Sequence, residues 1–253
     1  MKETILGYEV DTISLDDCVD SVMASIKGSA GTKWLACINP HSFFTTLQDE
    51  KFAASLKDAD WLIPDGVGIV MASKLLGGDL KKRLTGPDVF SSLLGKLNST
   101  QGTRIFFMGS SENTLVLIRK RIETDYPNLI VAGTYSPPFK PVYSTDDING
   151  MLSAINVSAV DVLWVGLTAP KQEKWIYENK DKLNVKFVGA VGAMFDYFAG
   201  INKPPSLFFQ RLGLQWLHRL ARNPRRMWRR TFISMPVFIY FIFREWLKRI
   251  KFN

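Results

Sequence analysis

Four short segments hold the residues of this chain best suited to chemistry. In Ile63-Pro64-Asp65-Gly66-Val67-Gly68 a single carboxylate stands between a proline and two glycines at the end of an apolar run. Glycine admits close approach of a substrate or another backbone, and a carboxylate so placed can take a proton from a hydroxyl as a general base. Asp before Gly is also common in turns and at helix starts, so spacing alone leaves both readings of Asp65 open. Arg83, with Gly86 and Asp88 close behind, offers a guanidinium for bidentate contact with phosphate or carboxylate; the alternative is a solvated basic loop after Lys81-Lys82. Pro170-Lys171-Gln172-Glu173 opens a helix after a strand, where backbone N–H groups can hold a phosphate or orient a sugar hydroxyl. Asp196, in Phe195-Asp196-Tyr197-Phe198, requires a partner if buried, whether structural or substrate.

The elements that must position these residues follow from periodicity. Short apolar runs predict strands over Lys33–Ile38, Trp61–Pro64, Arg104–Gly109, Leu129–Gly133, Asp161–Gly166 and Lys186–Val191. Helical patterns fall between them at Leu15–Lys27, His41–Lys57, Val67–Leu76, Asp88–Leu97, Glu112–Tyr126, Thr145–Asn156 and Lys171–Lys182. This alternation predicts an α/β fold, a Rossmann-like, mainly parallel sheet flanked by helices. Ligands of such sheets sit beyond the carboxyl ends of the strands. Those ends read Asn39-Pro40-His41-Ser42, Pro64-Asp65-Gly66, Gly109-Ser110-Ser111, Gly166 to Gln172, and Gly192 followed by Phe195-Asp196.

Several familiar sites are missing from the sequence. No Gly-x-Gly-x-x-Gly follows a strand and there is no Walker A loop. Cys18 and Cys37 form no disulfide framework, and His41 and His218 are too few and too far apart for a histidine metal site. Asp58-Ala59-Asp60 precedes a strand rather than ending one, so it reads as helix-end and loop acids. The sequence calls for no metal and no cofactor. Met1 to Asp11 is polar and mixed in charge, which suits no signal peptide and predicts cytoplasmic residence.

Charge is distributed very unevenly. Of 32 Lys and Arg and 24 acids, twelve bases and a single acid, Glu245, lie between Lys203 and Asn253, leaving twenty bases against twenty-three acids elsewhere. The division predicts a body over 1–200 and a basic, amphipathic helical appendage over 201–253. Asn223-Pro224 fits an N-cap and a first helical position, after which Arg225, Arg226, Arg229 and Arg230 fall on one face and Met227, Trp228, Thr231 and Phe232 on another. The uncharged run Thr231–Phe243 reaches roughly 20 Å as a helix, short of the ~30 Å hydrocarbon core, so it suits the interface of a membrane rather than a crossing. The basic residues also fit a nucleic-acid arm, but the apolar Phe238–Phe243 suits lipid and is wasted on a polyanion. An anionic membrane surface is therefore the expected partner, and nucleic acid is not.

Taken in order, these segments resemble the WecG/TagA/CpsF family of bacterial glycosyltransferases. The resemblance rests on Ile38-Asn39-Pro40-His41, Pro64 to Gly68, Arg83-Leu84-Thr85-Gly86-Pro87-Asp88, Ser136-Pro137-Pro138-Phe139, Gly166 to Glu173, Gly192 to Asp196, Ala199-Gly200 and Gly213 to Leu220. It implies metal-independent, inverting transfer of a sugar, N-acetylmannosamine by preference, from a UDP-sugar to a polyprenyl-diphosphate-linked sugar at the cytoplasmic face of the cell membrane. Glucose or an acidic mannosamine derivative is the alternative donor sugar. By the match Asp65 is the base, while Asn39, Arg83 and Gln172 position donor sugar and diphosphate. Cys37, Gly66, Asp88, Gly109, Pro138 and Asp196 join them as substrate contacts. Arg219, Arg226 and Arg229 of the appendage would complete the site around the diphosphate, and self-association is expected of family members. The chain departs from the family pattern at Cys37, where many members have threonine, at Lys203-Pro204-Pro205, which replaces Arg-Ala-Pro, and at Gln215, which replaces a frequent Glu.

Overall fold

A computed structural model of the chain describes residues 1–28, 31–202, 220 and 224–252, with backbone alone at Arg226, Lys251 and Phe252. It begins with a hairpin, β1 (Lys2–Ile5) and β2 (Tyr8–Asp11), that periodicity did not predict. Its turn, Leu6-Gly7, holds both residues at positive φ, 49° and 82°. Such turns usually announce themselves with Asn, Asp or Gly at the first position, and leucine there hides the signal.

The main sheet has six strands, all parallel: β3 (Lys33–Ile38), β4 (Trp61–Pro64), β5 (Arg104–Gly109), β6 (Ile130–Tyr135), β7 (Val162–Gly166) and β8 (Phe187–Ala190). In space they run β4-β3-β8-β7-β5-β6. The chain leaves β3 outward to β4 and leaves β5 outward to β6, so the central pair β7–β8 lies between two diverging halves. A crevice at the carboxyl ends of the strands is the usual consequence of such divergence.

The connecting helices are α1 (Leu15–Lys27), α2 (Pro40–Thr46), α3 (Glu50–Asp58), α4 (Val67–Leu75), α5 (Gly86–Asn98), α6 (Glu112–Asp125), α7 (Thr145–Asn156), α8 (Lys171–Asn179) and α9 (Met194–Phe198). The single helix expected over His41–Lys57 is in fact two. Asp49 breaks it by accepting from the Phe52 N–H at 2.9 Å, an N-cap that starts α3 afresh. Likewise α5 starts two residues earlier than expected, at a capping box between Thr85 and Asp88.

Strand residues alternate between two apolar layers. Trp34, Ala36, Ile38, Leu62, Met108, Val165 and Val188 face α2, α3, α4, α7 and α8. Leu35, Ile63, Ile105, Phe107, Trp164 and Phe187 face α1, α5, α6 and α9. Gly189 is required by this packing, since a Cβ there would stand 2.2 Å from the Trp164 ring.

Beyond residue 223 come α10 (Pro224–Arg229), a π-helical turn (Arg230–Ser234) and α11 (Met235–Phe252). Proline opens α10 as expected. One face of α11 packs on the body: Phe238 and Ile242 are 3% and 4% exposed and belong to the same apolar layer as α2. Phe43 meets the Phe238 and Phe241 rings edge-on at 5.6 and 5.5 Å. Ile239, Phe243 and Ile250 on the outer side are 58%, 51% and 54% exposed. Among the described residues, no helix is long and apolar enough to cross a membrane.

Candidate active site

A cleft of about 870 Å³ opens at the carboxyl ends of the central strands. Sites of several hundred Å³ bury ligands the size of a small cofactor. Its walls bring together Cys37 near the end of β3 and Asn39 after it, Asp65 after β4, Pro138 after β6, Gln172 and Glu173 at the start of α8, and Asp196 in α9. Arg230, from the π-turn, lines it as well.

Local structure explains how each is held. Asn39 is the N-cap of α2, its Oδ1 accepting from the N–H groups of His41 and Ser42 at 3.0 and 2.9 Å. That leaves its Nδ2 amino group to donate to a ligand. Asp65 is fixed through its backbone, the N–H donating to the Ile38 carbonyl at 2.8 Å across the β3–β4 pair. Gly66 caps α4 at φ 103°, a conformation that favours glycine, and so lets the chain turn sharply after Asp65. Gln172 is buried and doubly tied: its Oε1 accepts from the Gly192 N–H at 3.1 Å, and its Nε2 donates to Glu173 Oε1 at 2.8 Å.

Glu173 itself is almost fully enclosed, and its Oε2 has no hydrogen-bond partner. Burial pushes its carboxyl up to about 7, outweighing the opposing effect of the bond from Gln172. Burial also raises the Cys37 thiol well above its ordinary value, with the charges of Asp65 and Glu173 adding to the effect. Cys37 is thus a neutral thiol. The Lys171 ammonium is used within the protein, donating to the Lys140 carbonyl at 2.8 Å and lying 4.6 Å from the Tyr143 ring centroid.

The arrangement provides a carboxylate at a strand end that lines the same cleft as the amide side chains of Asn39 and Gln172. Among the described residues, no three His, Cys, Asp or Glu side chains cluster as metal ligands. The family described as "Glycosyl transferase WecG/TagA/CpsF family" has a model that matches residues 3–252. The chain belongs to this family of glycosyl transferases.

Its similarity to individual family enzymes is substantial. It is 33% identical over 231 residues to an N-acetylglucosaminyldiphosphoundecaprenol N-acetyl-beta-D-mannosaminyltransferase of Bacillus spizizenii W23, covering 88% of this chain and 86% of that one. The protein of the same name from Bacillus subtilis 168 is 31% identical, with 83% and 79% covered. That from Staphylococcus aureus MW2 is 23% identical, with 94% and 91% covered.

The family-derived expectations fall in different places. Cys37, Asn39, Asp65, Pro138, Gln172 and Asp196 converge on the cleft. Asp88 uses its Oδ2 to accept from the hydroxyl of the N-cap Thr85 at 2.6 Å, within the capping box of α5. Gly109 is needed for backbone approach, because a Cβ there would lie 2.6 Å from the Gly166 carbonyl. Arg83, Gly66, Asp88 and Gly109 are not among the cleft-lining residues. Of the appendage arginines, Arg219 lies outside the described residues, Arg226 is placed on α10 by backbone alone, and Arg229 is exposed. Among the described residues, Arg230 is the appendage arginine that lines the cleft. A strict helical period gives no means of choosing it over Arg229, because the choice depends on the π-turn.

Proposed function

We propose that this protein is an inverting, metal-independent transferase that moves N-acetylmannosamine from a UDP-sugar to an N-acetylglucosamine carried on a polyprenyl diphosphate. The observation that carries this reading is the convergence of Asp65 with Asn39, Gln172 and Asp196 in one cleft at the strand ends, in a chain similar to transferases of that name. In this reading the Asp65 carboxylate accepts the proton of the acceptor hydroxyl as its oxygen attacks the anomeric carbon. The bond from that carbon to the diphosphate oxygen breaks on the opposite face, and UDP departs with the electron pair. Asn39 Nδ2 and the remaining N–H of Gln172 orient the sugar. Arginines of the appendage offset the charge gathering on the diphosphate, the role electrostatic preorganisation plays in such displacements.

The same reading places the enzyme peripherally on the cytoplasmic face of the membrane. The exposed row Ile239, Phe243, Leu247 and Ile250 of α11, with Val67, Met71 and Leu75 of α4, forms its apolar contact. Exposed Arg244 and Lys248 supply the anionic-lipid contact, at about 1 kcal/mol for each cation close to the surface.

The test is transfer of sugar from a panel of UDP-sugars to a synthetic polyprenyl-diphosphate-N-acetylglucosamine. UDP-N-acetylmannosamine is expected to be the best donor, and Asp65→Asn is expected to lose at least about a hundredfold in turnover. A folded Asp65→Asn protein with wild-type turnover removes Asp65 as the base.

A further inference from the structure

The π-helical turn between α10 and α11 makes five residues do the work of one wide turn, and its position is informative. In a straight α-helix every fourth residue advances by about 40°, so positions 230, 234, 238 and 242 would fan over about 120°. The wider i→i+5 turn takes back part of that fan. The result is that Ser234, Phe238 and Ile242 are all buried against the body while Arg230 lines the cleft. Such turns are uncommon and occur often at functional sites.

The turn is pinned by a long-range hydrogen bond. Ser234, fully buried, places its Oγ 2.9 Å from His41 Nδ1, and the same hydroxyl donates to the Arg229 carbonyl at 3.3 Å. His41 is in turn fixed at the start of α2, two residues after its N-cap Asn39. The hydroxyl thus links the first turn of α2 to the residue before Arg230.

Among the described residues lining the cleft, the cationic side chains are Lys171 and Arg230. Lys171 is used by the Lys140 carbonyl and the Tyr143 ring. A guanidinium carries five N–H donors in a planar fork, enough to keep a contact within the protein and still hold phosphate oxygens.

We propose that Arg230 is a substrate-binding residue that takes the diphosphate of the donor, and that the π-turn, held by the Ser234–His41 hydrogen bond, is the device that positions it. This rests on the transferase reading above and adds to it a residue that sequence matching passed over in favour of Arg229.

Calorimetric titration of the full chain with UDP and, separately, with inorganic pyrophosphate tests it. Both are expected to bind wild type, and Arg230→Gln is expected to weaken both about ten- to hundredfold. Arg230→Lys, which keeps the charge without the fork, should fall between, and it keeps the test open if Arg230→Gln does not fold. Ser234→Ala should weaken UDP less than Arg230→Gln, and the double variant should bind no more weakly than Arg230→Gln alone. That non-additivity marks Ser234 as acting through Arg230. Unchanged affinity for both probes in Arg230→Gln or, should that variant not fold, in Arg230→Lys overturns the proposal. Additive losses overturn the role given to the π-turn. Arg230-dependent binding of pyrophosphate with no binding of UDP keeps the anion site and removes the UDP-donor reading. Binding of neither probe by wild type removes both.

Discussion

Glu173 is predicted to make the protein less stable at neutral pH than it would be without an ionisable group there. Its carboxyl is enclosed beside the cleft, accepts one hydrogen bond from Gln172, and leaves Oε2 unpartnered. The folded chain holds the Glu173 proton up to about 7, whereas the ordinary carboxyl loses it near 4.5. Between those values the folded state binds more protons than the unfolded state, so stability falls as pH rises. Above both the deficit stays constant, at about 3 kcal/mol, taking roughly 1.4 kcal/mol for each tenfold change. Glu173→Gln keeps an oxygen for the Gln172 N–H and cannot titrate. Urea unfolding of both proteins at pH 4.5 and pH 8 is therefore expected to show the gap between them widening by about 3 kcal/mol in favour of the variant at pH 8. All other titrating groups are common to the two proteins and cancel. A gap that is the same at both pH values would show that Glu173 ionises normally and that its enclosure is not felt.

Two further outcomes follow from the packing of the appendage. Phe238→Ala removes a buried ring from the shared core and should lower unfolding free energy by about 3–5 kcal/mol, whereas Ile239→Ser, one residue on and exposed, should stay within about 0.5 kcal/mol yet weaken co-sedimentation with anionic vesicles. Burial, then the nearby Arg230 charge, holds His41 neutral down to about 4 rather than 6.5. The unfolded state gains the proton first, so stability is complete above 6.5 and is lost as pH falls toward 4; His41→Gln should flatten the acid side of a urea-midpoint profile.

Much of the body was legible because its strands are short apolar runs bounded by turn residues. Lys33–Ile38, Trp61–Pro64 and Arg104–Gly109 appear with the bounds their sequences imply, as do the helices Leu15–Lys27 and Thr145–Asn156. The split of His41–Lys57 was within reach, since Asp49 is an N-cap residue followed three positions later by the N–H it caps. The hairpin Lys2–Asp11 was not, because each strand is only four residues long and partly polar. The cleft was half legible. Strand-end position located Asn39, Asp65, Gln172 and Asp196, and the family resemblance added Cys37, but composition could not show that Asp88 and Gly109 are engaged in capping and close packing. Nor could it show which residues of Phe238–Phe243 face inward, because an apolar run on all sides of a helix carries no directional signal. Glu173 was in view as the neighbour of Gln172, yet its enclosure comes from the assembled fold.

That lack of direction in α11 has a mechanical consequence. A rotation of this helix by one residue would exchange Phe238 and Ile242 for Ile239 and Phe243, aliphatic and aromatic groups of nearly equal hydrophobicity. Burial therefore discriminates poorly between the two azimuths. The choice falls to polar contacts at either end: Ser234 with His41, and the Arg249 Nη1 donating to the Leu76 carbonyl at 2.5 Å. Disturbing them would yield a misphased helix on a well-folded protein, with Arg230 turned from the cleft. Loss of activity in such a variant would leave almost no trace in a melting curve.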